Sequence, residues 1–165
     1  MAMNVSFTDK ENLTMNRSSY LLIFAAVLSF CAAIFQAAIA FVPAWSDAFG
    51  AGTLASNPPL LLASGLIVAL LLAIWGLYGL SGAGVIRRLP LLRLGLLMIG
   101  LLYLLVGINF PFQVLAMLGI LPTVGPIPIH IVLVSLGAFV VALAYLIGLA
   151  VSWKRLSTKP TRAHP

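Results

Sequence analysis

Residues 59–80 read PLLLASGLIVALLLAIWGLYGL, a run without a charged side chain from end to end. About 20 such residues carry a helix across the hydrocarbon of a bilayer. A helix apolar on every side needs lipid or a large protein interior around it, and a chain of 165 residues has no room for the second. The whole sequence agrees: 62% of it is hydrophobic, 7% is charged and the mean hydropathy is +1.17. A soluble domain is about 25% charged, so a soluble globular fold is excluded.

Three further runs reach spanning length: Tyr20–Val42, Leu91–Phe110 and Ile127–Val151. Breakers stand between them, with Pro43 after the first, Asn57, Pro58 and Pro59 before the second, and Gly82 and Gly84 behind it. The expected fold is an all-α integral membrane four-helix bundle with spans at about 20–42, 59–80, 91–110 and 127–151. Residues 1–19 read as a disordered polar head, 20–152 as the transmembrane domain and 153–165 as a basic tail. Ala38 and Ala40 imitate a signal-peptidase motif, but the run ahead of them exceeds the 7–15 residues of a signal core. We read it as a retained anchor, with Met15 as an alternative start. The sequons at Asn4, Asn12 and Asn16 would matter only for a lumenal N-terminus.

The 9 Lys and Arg residues set the expected orientation. Lys10 and Arg17 precede the first span, Arg87, Arg88 and Arg93 separate the second from the third, and Lys154, Arg155, Lys159 and Arg162 follow the fourth. All fall on one side of a four-span chain, and positive loops stay inside. Both termini are therefore expected in the cytoplasm. This charge bias also explains the pI of 10.1, so nucleic acid is not an expected partner.

Lipid tails are as apolar as leucine, so helices in a bilayer associate through close contact between small residues. The sequence supplies such lines at helical spacing: Ala25, Ser29, Ala33 and Ala37; Gly65, Ala69 and Ala73; Gly100 and Gly107; Ala144, Gly148 and Ser152. They fit the packing of one chain's own bundle or a homodimer or larger membrane complex. Pro111 removes an amide donor and clashes with the Gly107 carbonyl, so the third helix should kink or stop there. Phe112–Leu121 could then lie along the outer surface, followed by a stiff connection through Pro122, Pro126 and Pro128.

Polar side chains inside a bilayer are costly and are read first as functional. Gln36, Asn109, Gln113 and His130 all fall toward the outer ends of their spans, and Asp47 stands in the first outer loop. They form either an outward-facing ligand pocket, with Asp47 orienting the His130 imidazole, or mere ties between helix ends. At the other boundary, residues 81–93, SGAGVIRRLPLLR, join glycines to Arg87, Arg88 and Arg93. Those arginines either bind lipid headgroups or simply keep the loop inside. One cysteine, Cys31, permits no intrachain disulfide or thiolate cluster. A single membrane histidine offers no paired haem ligation, and no metal or cofactor is expected. Small multidrug transporters need a glutamate in the first span, quinone-linked thiol oxidases need cysteine pairs, and glutathione-dependent microsomal enzymes need buried Glu and Arg; this chain lacks all of these.

The run Tyr78-Gly79-Leu80-Ser81-Gly82-Ala83-Gly84 with Arg87-Arg88-Leu89-Pro90-Leu91-Leu92-Arg93 resembles a group of uncharacterised small four-span inner-membrane proteins of Gram-negative bacteria. Ser135-Leu136 and Tyr145-Leu146-Ile147-Gly148 share the likeness, which covers roughly Pro59–Val151. Members of that group often carry a basic residue where Val106 stands here. The resemblance implies a bacterial inner membrane and no reaction. The expected function is an accessory or scaffold unit without catalysis, associating through small-residue helix faces among membrane lipids. The alternatives are a lipid or small-molecule carrier and, more remotely, an enzyme using Asp47 and His130.

Overall fold

The computed structural model describes residues 5–42, 45, 49, 57–122, 125 and 127–157, without the side chains of 5–16, 154, 155 and 157. It is all-helical: α1 is Val5–Phe41, α2 Pro58–Ala83, α3 Leu92–Gly107, α4 Asn109–Met117 and α5 Ile129–Ser157. Four stretches are long and apolar enough to cross a membrane, Arg17–Phe41, Pro58–Ala83, Leu92–Met117 and Ile129–Trp153.

The helix ends follow from local chemistry. Pro58 and Pro59 open α2, where a missing amide costs nothing, and Asn57 accepts from the Leu60 amide at 3.4 Å. Gly84, at φ 83°, closes the same helix in the left-handed conformation, with the Val85 amide returning to the Leu80 carbonyl at 3.0 Å.

One expectation changes and one is narrowed. Residues 5–19, expected as a disordered head, continue α1 as helix. No proline or glycine precedes Pro43, and a helix already nucleated by its membrane run propagates at little cost through residues that do not break it. The third span, expected at about 91–110 with a kink or a stop at Pro111, takes the first of those two courses and runs past the proline. Ile108 separates α3 from α4 although its own amide still bonds the Leu104 carbonyl at 2.7 Å; the bond lost is the one that Pro111 cannot give to the Gly107 carbonyl, and α4 carries the span on to Met117.

α1 packs mainly on α2 and then on α5, while α3 packs mainly on α5 and then on α2, leaving α1–α3 and α2–α5 as the two diagonals. Leu22 touches the space beside both Gly82 and Gly148 at one end of the bundle, and Ala40 faces Gly65 toward the other. Arg17, the loop with Arg87 and Arg88, and the end of α5 therefore share one end.

The interior inverts the soluble pattern. Ala25, Ala26, Ser29, Ala142 and Tyr145 are fully buried, whereas Leu70, Leu105, Leu133 and Ile147 face outward. Large apolar side chains turned out and small or hydroxylated ones turned in is the arrangement that a lipid solvent selects. The small residues read from the sequence are spent inside: Ala33, Gly65, Ala69, Gly100, Gly107, Ala144, Gly148 and Ser152 are all buried within the single chain. A methyl group at Gly65 would stand 2.5 Å from the Ala40 methyl, at Gly100 2.7 Å from Leu146, and at Gly148 2.8 Å from Leu22. At Gly107 it would run into the backbone of Phe139.

That last contact sets a test. Backbone cannot yield as a side-chain tip can, so Gly107→Ala should lower unfolding stability in detergent by about 1–3 kcal/mol. Gly137, whose added methyl meets nothing within 4 Å, should accept alanine without loss. Equal effects at the two positions would contradict the packing described.

Candidate functional site

Midway through the bundle, side chains from three spans and a backbone carbonyl from the fourth meet in one hydrogen-bonded chain. Tyr103 of α3 donates its hydroxyl to Ser29 Oγ of α1 at 3.1 Å, and Tyr145 of α5 donates to the Trp75 carbonyl of α2 at 2.8 Å. The remaining contact joins Ser29 Oγ and the Tyr145 hydroxyl at 3.2 Å. Each hydroxyl owns one proton, and Tyr145 has committed its own to Trp75, so Ser29 must donate and Tyr145 accept. The order is Tyr103 to Ser29 to Tyr145 to a backbone carbonyl. Each hydroxyl between the ends both gives and receives, an arrangement in which neighbouring bonds polarise one another.

Aromatic contacts enclose the chain. The Trp75 ring meets Tyr103 edge-on at 5.2 Å, and the Tyr103 and Tyr145 rings stack at 6.0 Å. Gly79, one turn beyond Trp75, makes the approach of Tyr145 possible, since a methyl there would lie 3.0 Å from its hydroxyl and 2.9 Å from Ala26. The Tyr103–Ser29 and Tyr145–Trp75 bonds cross the two diagonals, where backbone packing is weakest. The chain ends on a carbonyl, which holds no proton to pass on, so it ties helices together and does not relay protons.

The residues singled out from the sequence lie toward the two ends. At the end away from the arginines, Gln36 is half-buried, and Asn109 is exposed with its amide only 3.4 Å from the carbonyl of Val106 in the preceding turn. Gln113 Oε1 and His130 Nε2 are buried without a hydrogen-bond partner. The His130 ring meets the edge of Phe49 at 5.1 Å, and Phe49 in turn meets Phe35 at 5.3 Å. No hydrogen bond joins any two of Gln36, Asn109, Gln113 and His130, and Asp47 lies outside the described residues. Among the described residues no group of three or more His, Cys, Asp or Glu side chains comes together.

At the opposite end, Arg87 and Arg88 are exposed on the α2–α3 loop. Arg93 is separated from them in role. Its Nη2 donates to the Trp153 carbonyl at 2.7 Å, its Cζ stands 4.9 Å over the Trp153 ring, and its Nε is buried without a partner. This guanidinium joins the start of α3 to the last turns of α5, where a cation also complements the helix dipole.

Sequence reading took Ser29 only as a small packing residue and gave Tyr103 and Tyr145 no role. A signal was present: Tyr is a residue of membrane interfaces, and a tyrosine far from either boundary must find a partner for its hydroxyl. No protein-family model matches the chain, and neither a curated protein nor a solved structure is similar to it at a significant level.

Tyr145→Phe removes two of these bonds with almost no change in shape. At the roughly 0.6 kcal/mol typical of a hydrogen bond between membrane helices, rising to about 1.7, it should cost about 1–2 kcal/mol of unfolding stability. Tyr20→Phe, on an exposed side chain, should cost nothing measurable in the same detergent titration, and equal losses would remove the special standing of Tyr145.

Proposed function

We propose that this chain is a non-catalytic accessory or scaffold protein of the bacterial inner membrane, with both termini in the cytoplasm. Its small-residue faces build one four-helix unit, which offers a large apolar exterior to lipid and to neighbouring membrane proteins. The single observation that carries this reading is the closure of the bundle axis. A carrier needs a path between the polar side chains at one end and the arginine loop at the other. Between them stand the Tyr103–Ser29–Tyr145 chain and contacts at Gly79, Gly100 and Gly148 too close to admit a methyl group.

The carrier reading has one observation of its own, the unpaired buried atoms Gln113 Oε1 and His130 Nε2. Two polar atoms at one end make no route through a packed centre, and the scaffold reading needs none. The orientation rests on the charge bias of the sequence, whose 9 basic residues stand before the first apolar run, between the second and third, and after the fourth, since positive loops stay inside.

Reconstitution tests this directly. Proteoliposomes should exchange fluorescent phospholipid between leaflets, and release trapped small solutes, no faster than vesicles without protein. Movement above that background, abolished by Gln113→Ala or His130→Ala, would replace the scaffold reading with the carrier.

A further inference from the structure

The third span presents two stripes. Leu96, Ile99, Tyr103 and Gly107 turn into the bundle and are buried. Met98, Leu102, Leu105, Asn109 and Phe112, alternately four and three residues apart, form the other, and every one of them is exposed. Ile108, between α3 and α4, keeps right-handed helical dihedrals (φ −62°, ψ −20°), so the outer stripe crosses the junction in phase. Steps of four and three make the seven-residue repeat along which two helices wrap around each other.

Asn109 is the polar member of that stripe. It lies about 12 Å before the end of the spanning stretch Leu92–Met117. Of the Asn and Gln side chains described within the spanning stretches, Gln36 and Gln113 are half-buried and Asn109 alone is exposed. Its Nδ2 donates to the Val106 carbonyl at 3.4 Å, a long bond that occupies one N–H. Its Oδ1 and second N–H have no partner among the described residues, acyl chains offer none, and an amide left so in hydrocarbon is costly.

Copies of one chain insert the same way round, because the same charge bias orients each of them. The stripe on α3 and α4 therefore meets its own copy in parallel, level with level, and Asn109 meets Asn109. A carboxamide is its own complement: each donates an N–H to the oxygen of the other, as a two-fold axis requires. One asparagine at such a seam position also fixes the register and the number of helices.

We propose that α3 and α4 form a homodimer interface within the membrane, with the stripe from Met98 to Phe112 packed on its copy and the two Asn109 side chains hydrogen-bonded across the axis. The glycine lines are spent inside each bundle, so this contact differs from the small-residue association expected from the sequence. The proposal requires only that the helices cross a bilayer and is independent of the scaffold reading.

The test reconstitutes full-length protein, labelled at its N-terminus with donor or acceptor dye, and follows energy transfer as lipid is added. Wild type should show a transition from dimer to monomer. N109L, which removes both reciprocal bonds from an exposed position, should raise the dissociation constant about 10-fold. N109Q keeps the carboxamide and should stay close to wild type, and L133A, on the exposed face of α5, should change nothing. Crosslinking supplies a readout that leaves Asn109 in place. In a C31A background, oxidation should link L105C into dimers and should not link L133C. The proposal is overturned by a monomer at every lipid ratio, which would leave the stripe to lipid or to a different protein. Equal association of wild type and N109L, or crosslinking through L133C in place of L105C, would overturn it as well.

Discussion

Between two apolar helices in a bilayer there is no water to expel, so a bundle holds together only through contacts that lipid cannot imitate, close backbone approach and hydrogen bonds. In this chain the hydrogen bonds between spans in the membrane interior converge on Ser29. Its hydroxyl accepts from Tyr103 and donates to Tyr145, whose own proton goes to the Trp75 carbonyl. Adjacent helices touch along glycine and alanine, but α1 and α3 face each other across a diagonal, and so do α2 and α5. The hydroxyl chain closes both diagonals at once. Leaving a hydroxyl unpaired in hydrocarbon is costly, and in this arrangement of the four helices every member of the chain is satisfied.

The rest of the molecule follows from that centre. Gly79 yields the space into which Tyr145 reaches, and Ala26 fills what remains. Tyrosine rings and glycine contacts fill the axis between the polar groups at one end and the arginines at the other. Arg93, lying on Trp153 and bonded to its carbonyl, ties α3 to α5 where the hydroxyl chain no longer reaches. Arg87 and Arg88 remain at the surface on a backbone fixed by Ser81.

How much of this could be read from sequence divides along physical lines. Spans such as Pro59–Leu80 were legible because the hydrocarbon imposes a length and forbids charge. The packing role of Gly65, Gly100, Gly107 and Gly148 was legible because only small residues let membrane helices approach closely. Their destination was open, since a glycine line serves an internal contact and a dimer equally well, and the fold places it inside. The course of α1 before Tyr20 was misjudged from polarity, because a polar stretch without Pro or Gly can prolong a helix already formed. The central site was hidden for another reason. Ser29, Trp75, Tyr103 and Tyr145 lie on four helices with no sequence spacing in common, and only the bundle's geometry brings them together.

The claim on which this account rests is that the Ser29–Tyr103 bond holds a diagonal of the bundle, and a double-mutant cycle measures it. Unfolding free energies of wild type, Ser29→Ala, Tyr103→Phe and the double variant, taken in one detergent system, isolate the interaction from the separate losses. The structure predicts a favourable coupling of about 0.5–1.5 kcal/mol, with the double variant losing less than the sum of the two single losses. Strictly additive losses would show that the two hydroxyls do not act on one another and would contradict the account.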